Sequence, residues 1–366
     1  MDRLPPCECR NREAGTRRSR AAGTARWLTV AVAFALAGCG WIGLGWSAVT
    51  FPTTAAGESA NVVANGRFAY ATRGADGIEI IELATPAMRR VTAPALETSA
   101  DDLAIADDLL FVLDAHPPGH LAIYSLTDPA APQLAQAPVP VEVGPFSGVS
   151  AGGGLVVVSG GTSLLSLRRY APDGRLSTDI ATADLGRGQP DVLLSADGRY
   201  AYVSVHDEGP NFSLVVLELS AEPLAMREFA RLPLDTYGFT PGGARPASFP
   251  IEMASTGGLL LIASAVGLQV LDIADPSLPR PLATLQAGVL PVNVDARPGL
   301  AAVVGSDPSP ELVFVDLADP AAPTLLHSIR LPEGSLATGV ALADRQAVIA
   351  AHAGGTLVFR LDQLSQ

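Results

Sequence analysis

The sequence has no lysine, and all 24 of its basic residues are arginine. That excludes a Schiff-base mechanism and a phosphate loop built on a lysine ammonium. Cysteine is nearly as scarce: the three present are Cys7, Cys9 and Cys39, so no disulfide can form beyond residue 39. After residue 50 no stretch of 10–15 residues keeps a helical period, which leaves an all-β chain. Positive charge is also short. Beyond Cys39 there are 17 Arg against 34 acids, a net charge of −17. Such a surface repels phosphate backbones, so nucleic acid is excluded as a partner.

A repeated phrase dominates what is present. It begins at Ile78 (IEIIELATP), Leu121 (LAIYSLTDP), Leu164 (LLSLRRYAP), Leu214 (LVVLELSAEP), Leu268 (LQVLDIADP), Leu312 (LVFVDLADP) and Leu357 (LVFRLDQLS). Successive starts are 43, 43, 50, 54, 44 and 45 residues apart. A period of about 40–50 residues, built of short apolar runs and turn signals, is that of a β-propeller blade. The expectation is one seven-bladed propeller over residues 45–366, monomeric, with 36 Gly and 30 Pro punctuating its strands.

The stretch from Pro291 to Pro332 shows the plan: VNVDA, a turn at Arg297-Pro298-Gly299, LAAVVGS, LVFVDL, an Asp319-Pro320 stop and TLLHSIRL. Other blades repeat it, with a–b turns at Asn65-Gly66, Asp107-Asp108, Gly152-Gly153-Gly154, Asp197-Gly198 and Gly257-Gly258. At each Asp-Pro, the carboxylate is expected to fold onto backbone N–H groups while Pro removes a donor. The seventh blade runs out of sequence after three strands. An apolar segment, Gly45 to Phe51, precedes the first blade and is expected to supply the missing outer strand.

Ahead of that segment, an Arg-rich start leads into an apolar run ending Leu36-Ala37-Gly38-Cys39. This resembles a bacterial lipoprotein signal peptide, which implies removal of residues 1–38, a lipid on Cys39 and a tether over 39–44. Gly40 after the cysteine implies outer-membrane sorting or the cell surface. The alternative is an uncleaved inner-membrane anchor, since Trp27 to Trp46 carries no charge over 20 residues.

The strands LVFVDLADPAAP at 312–323 and LQVLDIADP at 268–276 resemble the LVIVD-repeat family of envelope proteins. Ser195 to Val203 (SADGRYAYV) is similar to the related YVTN-type repeat. The resemblance implies a seven-bladed propeller at the cell surface and no assigned reaction.

A binding face is expected where the b–c and d–a loops gather, called the top. The two long spacings place insertions there: His206 to Asn211, with Asp207, and Asp235 to Phe249, with Tyr237 and Arg245. The residues opening the seven strands a should ring the channel mouth: Asn61, Asp102, Gly148, Asp191, Glu252, Asn293 and Gly339. Five of the seven carry a side-chain oxygen, which suits a polar ligand or a divalent cation such as calcium, the one cofactor considered. More simply, each caps the backbone of its own d–a turn. Asp114, His116 and His120 have one metal-like spacing and no evident fourth ligand. Gly148-Val149-Ser150-Ala151-Gly152 matches the hydrolase Gly-x-Ser-x-Gly pattern but lacks a following helix, so Ser150 is read as a turn residue and no catalytic residue is assigned. Two functions remain open: an envelope module binding a protein, peptide or glycan partner, or a lactonase- or quinoprotein-type enzyme using the channel mouth.

Overall fold

The computed structural model describes residues 49–51, 60–74, 76–83, 89–91, 100–143, 147–160, 164–185, 191–206, 212–234, 252–264, 266–305, 309–332, 335–352 and 354–361. Among them there is no α-helix, and the strands form seven antiparallel sheets. Each sheet is one blade, a meander of strands a to d. Strand a of every blade touches strand a of the next, and blade 7 meets blade 1 in the same way, so the seven innermost strands enclose a channel. The protein is a seven-bladed β-propeller.

Blade 6 follows the predicted plan closely. Its strands are Pro291–Arg297, Leu300–Gly305, Glu311–Asp316 and Thr324–Arg330. The middle strands of each blade are apolar on both faces because both faces are covered by neighbouring blades. Seven separate clusters of buried residues fill the seven inter-blade spaces. The cluster of Val62, Ala69, Ile81, Ala341, Val348 and Val358 lies between blades 7 and 1 and completes the circle.

Turn chemistry explains where strands end. Asp107 and Asp108 both sit at positive φ, 50° and 58°, as a two-residue hairpin twisted to match its strands requires. Gly153 has φ +58°, and a Cβ there would fall 2.5 Å from the backbone of Asp197, so the a–b turns of blades 3 and 4 pack without room for a side chain. At the Asp-Pro steps the carboxylates fold as expected: Oδ1 of Asp128, Asp275 and Asp319 accepts the backbone N–H two residues on, at 3.0–3.1 Å. In blade 2 the outer edge is split into Gln133–Leu134 and Val139–Pro140, both paired to strand c, His120–Ser125. Pro132, Pro138 and Pro140 interrupt any longer ladder there.

The seventh blade is closed by the chain's own beginning. Val49–Phe51 pairs antiparallel with Thr356–Arg360, with Val49 opposite Val358 and Phe51 opposite Thr356. The seam between blades 7 and 1 is also polar at depth. Glu79 Oε2 accepts a hydrogen bond from Thr356 Oγ1 at 2.9 Å and lies 3.4 Å from Arg73 Nη1, while Gln346 Nε2 donates to Leu83 O at 3.1 Å.

Blade 4 departs from the plan at the bottom, in pairing and not in length. Leu214 lies opposite Leu232 much as Leu312 lies opposite Ile329, with one residue more between them, so the long spacing comes from the segment between Leu234 and Glu252, as expected. Its strands c and d, Phe212–Ala221 and Leu224–Leu234, run 10 and 11 residues, against 6 for strand c in blades 2, 3, 5 and 6. They are joined by a tight turn, so the pairing continues to the tip of the hairpin at the bottom face. Its alternating exposed and half-buried residues carry the pairing past the blade's core.

Candidate functional site

The inner edge of each strand a faces the channel and has no sheet partner, so its N–H groups need acceptors from elsewhere. The residues opening strands a supply them, both to their own strand and across the blade boundary. Asp102 of blade 2 accepts from Val149 N of blade 3 at 2.7 Å, and Asn293 of blade 6 accepts from Val340 N of blade 7 at 3.2 Å. Asp191 of blade 4 accepts from its own Val192 N at 2.9 Å and from Met253 N of blade 5. Asn61 accepts from Val62 N at 2.6 Å and donates its amide N–H to Asp102 Oδ1. The expected local capping is present at Asn61, Asp102 and Asp191, and beyond it the side chains of Asp102, Asp191 and Asn293 latch one blade to the next.

A second layer does the same work one step deeper. Ser150 Oγ accepts from Leu194 N at 2.9 Å, and Asp295 Oδ2 accepts from Leu342 N at 2.6 Å. Ser150 is thus not a turn residue. It lies inside strand a of blade 3, Val149–Gly152, buried, with its Oγ accepting from the next blade. Sequence reading missed Asp295, although it follows Asn293 at the strand spacing of two and so had to face the same channel.

Glycine completes the packing of this ring. A Cβ on Gly339 would sit 3.2 Å from Asn61 Cα, and one on Gly148 would sit 3.4 Å from Asp102 Oδ2 and 4.0 Å from Asp191 Oδ1. Gly148 thereby leaves space between two carboxyl groups.

Glu252 breaks the pattern. It opens strand a of blade 5, yet its longer side chain accepts no hydrogen bond among the described residues, and its electrostatic neighbours are Asp191 and Asp102. All three carboxyls are partly accessible at the mouth but walled in by protein. Burial pushes Asp102 up to about 6, against the bonds from Val149, Leu103 and Asn61. Burial and then the Asp102 charge push Asp191 up to about 7. Burial, Asp191 and Asp102 hold Glu252 well above the usual carboxylate range. Three like groups this close cannot all ionise without help, so near neutral pH the trio retains protons or draws in a positive charge.

Solved structures of low sequence identity share this architecture. The chain is similar to the β-propeller domain of a Cps50 (Swd1) protein of Myceliophteria thermophila, at 13% identity and a TM-score of 0.62 over 86% of this chain and 99% of that one. It is also similar to a putative 6-phosphogluconolactonase of Bacteroides fragilis, at 12% identity and 0.59 over 83% and 90%. A third is the periplasmic gluconolactonase PpgL of Pseudomonas aeruginosa, at 16% identity and 0.55 over 75% and 85%. No family model matches the chain, and no curated protein matches it. These likenesses show the fold.

The other predicted site residues fall in three groups. Asp207, Tyr237 and Arg245 lie outside the described residues, as does Cys39. His206 ends strand b of blade 4, paired with Phe212. The set Asp114, His116 and His120 is corrected: the structure joins Asp114 and His116 to Asp101, and His120 is not in the group. His120 opens strand c opposite Asp114, while Asp101 reaches the loop from the start of strand a. The doubled Asp101-Asp102 was the signal: one carboxylate faces the channel and its neighbour turns to the b–c loop. Asp101 first, and then Asp114, raise the pKa of His116.

Proposed function

We propose that this chain is a cell-envelope lipoprotein propeller of the LVIVD type, tethered through Cys39, that binds a protein or peptide partner by taking a positively charged group into its top-face mouth. The observation that carries the reading is Glu252, a carboxyl with no hydrogen-bond partner among the described residues, placed beside two others that already latch the ring. A perturbed acid in a mouth walled by protein, engaged by no described residue, is a functional-site candidate on physical grounds. The charge of −17 beyond Cys39 draws basic partners toward the same mouth. Ser150, the one residue in a nucleophile-like motif, is bound to a neighbouring blade's backbone.

The test uses short arginine- and lysine-bearing peptides as fluorescent probes against the purified protein. Glu252→Gln is expected to weaken their binding at least tenfold. Asp319→Asn, which removes one charge from the bottom face, should leave binding unchanged. Equal loss in both variants would reduce the effect to overall charge and remove the mouth from the proposal. For the anchor, Cys39→Ala should release the protein from membranes or block its processing. Retention at unchanged mass and resistance to alkaline extraction would instead mark residues 27–46 as a membrane span.

A second reading has one observation in its favour. Asp191, raised to about 7, has the proton affinity of a general base working near neutrality, and two of the similar structures are named gluconolactonases. Lactone hydrolysis assayed with and without added calcium decides it. Turnover lost in Asp191→Asn would make this an enzyme.

A further inference from the structure

We propose that the top face of blade 2 holds one divalent first-row transition metal, bound by Asp101, Asp114 and His116. The three come from different parts of the blade: the residue just ahead of strand a, the end of strand b (Leu109–Asp114), and the b–c loop. Asp101 Oδ2, Asp114 Oδ1 and His116 Nδ1 lie within 4.8 Å of one another. The two edges from the imidazole are shorter still, 3.1 Å to Asp101 and 3.2 Å to Asp114. Ligand atoms bound about 2.0–2.2 Å from one metal ion lie roughly 3.0–3.5 Å apart. The imidazole edges therefore already have the spacing of a coordination shell.

The carboxylates are held in place before any ion arrives. Ala115 N donates to Asp101 Oδ2 at 2.7 Å, and His116 N donates to Asp114 Oδ1 at 3.0 Å. Each oxygen keeps a second lone pair for a metal. The donor set selects the ion. An imidazole with two carboxylates suits zinc, cobalt, nickel or manganese, whereas calcium seeks six to eight oxygens. The His116 side chain is 70% exposed. The remaining coordination positions thus face solvent, where water or a ligand atom from an arriving partner can occupy them. This site is separate from the channel mouth: Asp101 points to the loop while its neighbour Asp102 is held by Val149 and Asn61.

The competing explanation is a protonated His116 clasping two aspartates, with no metal involved. Titration of the chelator-treated full chain with Co2+ and Zn2+ separates the two. One equivalent of Co2+ should bind with a visible absorption band of nitrogen and oxygen ligation, and Zn2+ should displace it. His116→Ala and Asp101→Asn should each lower affinity at least tenfold, with thermal unfolding in chelator unchanged. His120→Ala and Glu252→Gln should bind as the parent does. Absence of saturable binding, or parental affinity in His116→Ala, would overturn the site. So would loss in Glu252→Gln alone, which would put the ion at the channel mouth.

Discussion

Removing the Arg73 cation should destabilise the propeller more than any surface substitution, because it sits in the seam that closes the ring. Arg73 and Glu79 are 6% and 3% exposed at the side chain, with 3.4 Å between Nη1 and Oε2. Arg73→Met leaves the Glu79 carboxylate buried between blades 7 and 1 with its cation gone. Breaking a buried pair in this way costs about 3–5 kcal/mol, against a net stability of roughly 5–15 kcal/mol for ordinary domains. Removing both charges is far milder. Arg73→Met with Glu79→Leu takes the acceptor from the Thr356 hydroxyl and should cost about 1–2 kcal/mol. The double mutant is therefore expected to be more stable than Arg73→Met alone, a coupling that surface pairs do not show. Urea unfolding followed by far-ultraviolet circular dichroism measures it. Added salt should change little, because a buried pair is weakly screened. Additive single effects, or a cost below about 1 kcal/mol for Arg73→Met, would refute the argument that this pair secures the seam.

Other outcomes follow from the same geometry. The folded-state pKa of Asp191 is raised to about 7, so the native protein holds a proton that the unfolded chain has already lost. Stability from this group is greatest at the acid end of the window between the ordinary carboxylate pKa and about 7, and falls as pH rises through it. Thermal unfolding between pH 5 and 8 should show that decline, shallower in Glu252→Gln; a rise with pH there would contradict it. Truncation to a start at Glu58 removes Val49–Phe51 and bares the outer strand of blade 7, and a loss of several kcal/mol is expected. An unchanged midpoint in that truncation would show that the strand does not hold the ring. Ser150→Ala strands the buried Leu194 N–H and should cost about 1–3 kcal/mol, read as a lowered urea midpoint, whereas Ser150→Thr should recover part of it.

Architecture was legible because it is written periodically. Seven copies of one phrase, with Asp-Pro and Asn-Gly punctuation, specify strands by local chemistry that survives in any single blade. The closing strand could be read from bookkeeping of strands: blade 7 lacked one and the segment before blade 1 had one unassigned. The site was legible only in outline. Position in the repeat pointed to Asn61, Asp102, Asp191, Glu252 and Asn293, but not to what each accepts. That depends on contacts between blades more than 40 residues apart, such as Asp102 with Val149. Sequence shows Glu252 to be one methylene longer than Asp191 but not the consequence: in the fold the N–H of Met253, next to it, is already taken by Asp191. Asp101 was passed over for a different reason: adjacent residues on a strand point to opposite sides, and only the fold shows which loop lies there.

The direction of the closing strand has a mechanical consequence. Phe51 lies opposite Thr356, which begins strand c at the top, so Val49–Phe51 runs upward, with Val49 at its lower end. Cys39 is ten residues before Val49, a leash of at most about 35 Å. If Cys39 carries a lipid as proposed, the pull of that tether would enter the ring through the blade-7 ladder at Val49, and the pairing of Val49–Phe51 with Thr356–Arg360 would be the part of the fold that bears it.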